Sequence, residues 1–63
     1  MLIQFQAPTG NQPVAFEADE VSDLKASLVP NVTEVFLKNG RRYLVAGSFT
    51  EVLRRIEEAK SRG

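Results

Sequence analysis

Catalysis in this chain would have to start from its four serines, Ser22, Ser27, Ser48 and Ser61. A serine hydroxyl is a weak nucleophile unless a base sits beside it. The chain has no histidine to act as that base and no cysteine to replace the hydroxyl with a thiol, and although a lysine or carboxylate could serve as base, nothing in the sequence places one beside a serine. Glu17, Asp19, Glu20 and Asp23 form the one carboxylate cluster, but they lack the glycine and the ligand spacing of a calcium loop, so a solvated acidic surface is the expected reading. There is no glycine-rich phosphate loop. The sequence therefore predicts a chain that is not an enzyme, with no catalytic residue, no cofactor and no metal site.

The basic residues suggest a different chemistry. Lys38, Arg41 and Arg42 crowd around one predicted turn with Tyr43 beside them. Phosphate-seeking charge next to a stacking ring is what nucleic-acid surfaces use. Arg54 and Arg55 would extend that surface along a helix. Against this stands a formal net charge of +0, which falls short of the usual electrostatic footprint. The neutrality hides a polarity: residues 1–34 hold five acids and one base, net −4, and residues 35–63 hold seven bases and three acids, net +4. Such a gradient can guide one copy onto another or the basic half onto an anionic partner. Nucleic-acid binding through Lys38, Arg41, Arg42, Arg54 and Arg55 is the alternative expectation.

The elements that must position these residues are clearest from Val32 to Lys60. Asn39-Gly40 is a strong hairpin signal, because both residues tolerate the positive φ of a type I′ turn. A two-residue turn there pairs Lys38 with Arg41, Leu37 with Arg42, Phe36 with Tyr43 and Val35 with Leu44. The second strand stops at Gly47, and Ser48 with Glu51 three residues on reads as a capping box. Phe49, Val52, Leu53, Ile56 and Ala59 then recur at helical spacing. Glu51–Arg55 and Glu58–Arg62 would be favourable i,i+4 pairs on the wet face of that helix.

Earlier in the chain, Ile3 and Phe5 alternate with Gln4 and Gln6, and Val14 and Phe16 with Ala15 and Glu17, as half-buried strands do. Between them Ala7–Pro13 is loop chemistry, with Gly10-Asn11 suited to turn dihedrals. Residues 19–29 admit two readings. Asp19 could cap a short helix carrying Val21, Leu24 and Leu28, or one helical turn over 19–23 could lead into a strand in which Leu24, Ala26 and Leu28 alternate with Lys25, Ser27 and Val29. The strand reading is adopted, and Pro30-Asn31 ends either element. The expected fold is a single α+β domain: a small antiparallel β-meander of about five strands with one C-terminal amphipathic helix packed on it.

With the two-residue turn, Val35, Leu37, Leu44 and Ala46 face one way and Phe36, Tyr43 and Val45 the other. One helix covers one face. The sequence thus predicts either a homo-oligomer, with a dimer favoured, in which Phe36, Tyr43 and Val45 form the contact, or a sheet curled so that the first hairpin covers that face and Tyr43 is core. A protein partner at the same face is the related expectation.

The stretch VTEVFLKNGRRYLVAGSFTEVLRRI resembles the hairpin and helix of small flagellar FlbD-type proteins, with Gly10 in the place of that family's first turn glycine and Val14–Phe16 in that of its second strand. The junction ASLVPNVTE and the loop Ala7–Pro13 are longer here than in that family. LytTR-type DNA-binding domains contain a similar hairpin and helix within a longer domain. The FlbD-type resemblance implies a non-enzymatic role in flagellar function or its regulation.

At 63 residues without cysteine, the chain has one small core and no disulfide to reinforce it. MLIQFQAPTG shows no basic region before its apolar residues and no cleavage pattern, and no apolar run reaches spanning length. A soluble cytoplasmic protein without membrane contact is expected.

Overall fold

The computed structural model describes residues 1–10 and 12–62. Two strands, β1 (Leu2–Gln6) and β2 (Pro13–Glu17), form the first hairpin, with Ile3 opposite Phe16 and Phe5 opposite Val14. Because side chains alternate across a strand, Ile3, Phe5 and Phe16 enter the core while Leu2, Gln4 and Gln6 stay exposed. The loop is closed by a bond of 2.7 Å from the Ala7 N–H to the Gln12 carbonyl. Gly10 takes φ +77° there; Asn11, expected to share that turn, lies outside the described residues.

A short 3-10 turn at Ala18–Glu20 leads into β3 (Val21–Ala26). This is the strand reading of the uncertain segment, with the helical turn earlier and the strand ending before Leu28. A bulge between Val21 and Asp23 breaks the alternation of this strand. Val21 and Leu24 are three residues apart, yet the extra residue brings both to the core side, opposite Leu37 and Val35.

The next strands, β4 (Val32–Leu37) and β5 (Arg42–Ala46), pair in a register one residue away from the expected one. Val35 lies opposite Tyr43, Phe36 opposite Arg42 and Glu34 opposite Leu44. The turn is a three-residue loop, Lys38 to Gly40. Gly40 donates to the Leu37 carbonyl at 3.0 Å and Leu37 to the Arg41 carbonyl at 2.8 Å. Gly40 alone in that loop has positive φ, +89°, so the type I′ assignment is replaced by a type I-like turn with a glycine bulge. The Asn39 side chain instead accepts from the Arg41 N–H at 2.9 Å.

A slip of one residue reverses every face of the slipped strand. Thr33, Val35, Leu37, Tyr43 and Val45 therefore share the inner face, and Phe36, Leu44 and Ala46 turn outward. This register sets Tyr43 against Phe16 of the first hairpin, ring centroids 5.7 Å apart, and leaves Val45 with no exposure.

After Gly47 the chain enters α1 (Phe49–Arg62). The Ser48 hydroxyl accepts from the Glu51 N–H at 3.3 Å, and its carbonyl accepts from Val52 at 3.0 Å. Val52, Ile56 and Ala59 are the buried face, a 4-then-3 spacing that tracks one side of a helix. The α+β class is as expected, with five antiparallel strands and one C-terminal helix. The strands form two sheets, β1-β2 and β3-β4-β5. The first hairpin and the helix lie against the same inner face of the larger sheet and share one apolar core. Tyr43 meets the first hairpin as the curled alternative expects, but hairpin and helix cover the same face rather than opposite ones; on the outer side of β3-β4-β5, among the described residues, only the Pro8–Thr9 loop comes close, beside Leu44 and Ala46.

Candidate functional site

The hydroxyls serve the backbone. Ser22 donates to the Phe36 carbonyl at 3.2 Å, Ser61 to the Glu58 carbonyl at 3.0 Å, and Ser27 accepts from the Val29 N–H at 3.2 Å. Ser48 caps α1. The acidic cluster is divided as well. The Met1 amine lies 2.8 Å from the Glu17 carboxylate and 3.9 Å from that of Asp19. The hydrogen bond to Glu17, reinforced by both negative charges, raises the amine's pKa above its usual 8.0. Among the described residues no three carboxylates converge as a metal site would require.

The five basic candidates are not brought together. Arg42 binds Glu34 at 3.0 Å on the outer face of the sheet. Arg55, although exposed, turns toward the first hairpin. It donates to the Gln4 carbonyl at 2.8 Å and sets its guanidinium 4.3 Å from the Phe5 ring centroid. The expected Glu51–Arg55 and Glu58–Arg62 pairs are absent among the described residues. Helix surface pairs stabilise by only about 0.2–0.5 kcal/mol, so a cation–π contact combined with a charged hydrogen bond outweighs one of them. Lys38, Arg41 and Arg54 are exposed, and among the described residues their side chains have no hydrogen-bond or ion-pair partner.

Nor do Phe36, Tyr43 and Val45 form one surface. Phe36 faces outward, half-buried; Tyr43 and Val45 face inward, and Val45 is fully buried. The predicted contact face is corrected by the three-residue turn.

What the outer side presents instead is a different apolar group. Leu44 is 49% exposed, Val29 58%, and Leu28 projects fully into solvent. Leu28 and Val29 stand on the segment between β3 and β4. Ser27 ties that segment by donating to the Val32 carbonyl at 3.1 Å, and Asn31 completes it at φ +60°. Val29, Pro30, Val32, Leu44 and Ala46 line a groove of about 500 Å³ together with Pro8 and Thr9 of the first hairpin loop. A second hollow joins Leu28 to Leu44 beside Lys25 and Glu34. Read as sequence, Leu28 and Val29 continue an alternating strand; the signal for their exposure was the proline immediately after them.

Among the described residues no helix is long and apolar enough to cross a membrane. No protein-family model, curated protein or solved structure matches the chain.

Proposed function

We propose that this chain is a non-catalytic interaction module that works by binding a second copy of itself. The observation that carries the reading is the exposed apolar group on the outer side of β3-β4-β5, where Leu44 is shared by two adjoining hollows, one lined with Val29 and the other with Leu28. Met1, Leu2 and Phe49 are exposed elsewhere, but Leu28, Val29 and Leu44 adjoin one another, and a contiguous apolar group is what marks a contact surface. The local engagement of all four serines supports the non-catalytic part. The hairpin-helix resemblance to FlbD-type proteins points to a regulatory setting by analogy.

The test is solution mass by light scattering over a concentration series, for the wild type and for Leu28→Ser/Val29→Ser. The reading expects a wild-type mass that rises toward twice the monomer value and a smaller rise for the variant. A wild-type monomer throughout contradicts it.

Nucleic-acid binding is the second reading, favoured by the exposed Lys38 and Arg41 at the β4-β5 tip. It expects affinity for mixed oligonucleotides that falls steeply with salt, with a shallower slope for Arg41→Ala.

A further inference from the structure

The tip of the β4-β5 hairpin holds the parts of a reaction that needs no second molecule but water. Asn39 is followed by Gly40, and a backbone nitrogen attacks the side-chain carbonyl of the asparagine before it when its own residue leaves room. Glycine has no Cβ to obstruct that approach and the widest choice of backbone angles. The other asparagines, Asn11 and Asn31, precede Gln12 and Val32, whose side chains crowd the approach, the stiff β-branched valine most. Asn39 and Gly40 are exposed, as are Lys38 and Arg41 on either side, so water and hydroxide reach the tip.

In the folded hairpin both reacting groups are held. The nucleophile has to be the Gly40 nitrogen stripped of its proton, and that proton is donated to the Leu37 carbonyl at 3.0 Å. Removing it there would leave two lone-pair-bearing atoms facing each other. The electrophile is the Asn39 carboxamide carbon, whose Oδ1 accepts from the Arg41 N–H at 2.9 Å. This second bond would favour the oxyanion that forms on attack, so the two contacts act in opposite senses. The Leu37 contact decides, because no attack begins without a free nitrogen. Leu37 is itself anchored: its side chain is buried and its N–H donates to the Arg41 carbonyl at 2.8 Å. Its hold on Gly40 is therefore released only when this end of the ladder opens.

We propose that Asn39-Gly40 is a latent deamidation site, closed by the three-residue turn and released when the β4-β5 hairpin opens. On release the Gly40 nitrogen gives its proton to solvent base and bonds to Asn39 Cγ. The Cγ–Nδ2 bond breaks, and Nδ2 takes up a proton from solvent and leaves as ammonia. Water then opens the cyclic imide at either of its carbonyls. Addition at Cγ gives aspartate; addition at the main-chain carbon gives isoaspartate, in which the backbone runs through the former side chain. Isoaspartate inserts a methylene into a loop whose length sets the β4-β5 register. A hairpin with that insertion cannot close with Tyr43 on Phe16, because the faces of β5 follow the register. The reaction thus marks, in one direction only, chains whose hairpin has opened.

The test is incubation of the full chain at mildly alkaline pH, folded and in concentrated urea, with circular dichroism to confirm each state. Cleavage after Glu34 and Glu51 gives residues 35–51, in which Asn39 is the sole asparagine. The mass gain of that peptide reports loss of the amide, and enzymatic methyl transfer to isoaspartate counts the isomer. The folded chain should react more slowly than the unfolded one by roughly tenfold or more. Gly40→Ala should slow the reaction in urea, where folding plays no part. Chains carrying isoaspartate, diluted out of urea, should fail to regain the sheet spectrum that unmodified chains treated identically recover. Equal rates with and without urea overturn closure by the turn. An unchanged rate for Gly40→Ala in urea overturns the Gly40 nitrogen as nucleophile, and isoaspartate chains that refold to wild-type stability overturn the one-way mark.

Discussion

The rings of Phe16 and Tyr43 lie nearly parallel, 12° apart in plane with centroids 5.7 Å apart, and so hold the first hairpin to the larger sheet. Phe5 continues the stack at 5.8 Å from Phe16, and the Arg55 guanidinium closes it on the far side of Phe5. A single ladder of side chains thus runs from β5 through the first hairpin to α1. It depends on the β4-β5 register, because one residue of slip would carry Tyr43 to the other face. Aromatic pairs contribute about 0.5–1.5 kcal/mol beyond their buried area. Phe16→Leu and Tyr43→Leu, combined in a double-mutant cycle by urea unfolding, should show a coupling of about that size. Additive effects would mean that the rings share the core without interacting.

Two glycines at positive φ should respond differently to alanine. At Gly40, φ +89°, an added Cβ meets nothing within 4 Å; at Gly47, φ +133°, it would come 3.2 Å from the Val52 Cγ2. Gly40→Ala should destabilise by about 1 kcal/mol through backbone strain. Gly47→Ala should cost more, about 2–3 kcal/mol, because it adds crowding against α1 and strains the carbonyl that accepts the Thr33 hydroxyl at 3.0 Å. Chemical denaturation of both variants checks the order, and equal losses would contradict it.

Strand and helix positions were legible because each rests on local chemistry: alternation in Ile3–Phe5 and Val14–Phe16, the cap at Ser48, the 3.6-residue period from Val52 to Ala59. The faces of β5 were not. Asn39-Gly40 satisfies a two-residue turn and the last two positions of a three-residue turn equally well. What separates them is the partner waiting for Tyr43, Phe16, which is distant in sequence. Likewise the bulge beside Ser22 hid the true phase of β3. Tyr43 and Val45 were assigned to the wrong face for the same reason, since a one-residue change of register turns both inward and Leu44 outward.

The helix cap gives a simple check on α1. Ser48→Ala removes the oxygen that accepts from Glu51 and should lower stability by about 1 kcal/mol. An unchanged denaturation midpoint would place the start of the helix elsewhere.

The arginines of α1 should divide by role. Arg55→Ala loses both the Phe5 contact and the bond to Gln4, and should destabilise by about 1–2 kcal/mol. Arg54→Ala, at an exposed position, should change stability by no more than about 0.5 kcal/mol. Equal effects of the two in thermal unfolding would contradict the assignment of Arg55 to the aromatic ladder.

The proposed self-association is read most directly by sedimentation equilibrium at low and high protein concentration, for the wild type and for Leu28→Ser/Val29→Ser. The account predicts a wild-type mass that rises toward twice the monomer value as concentration increases, and a variant that stays nearer the monomer because it lacks two exposed apolar side chains. A wild type that remains monomeric at every concentration would contradict it.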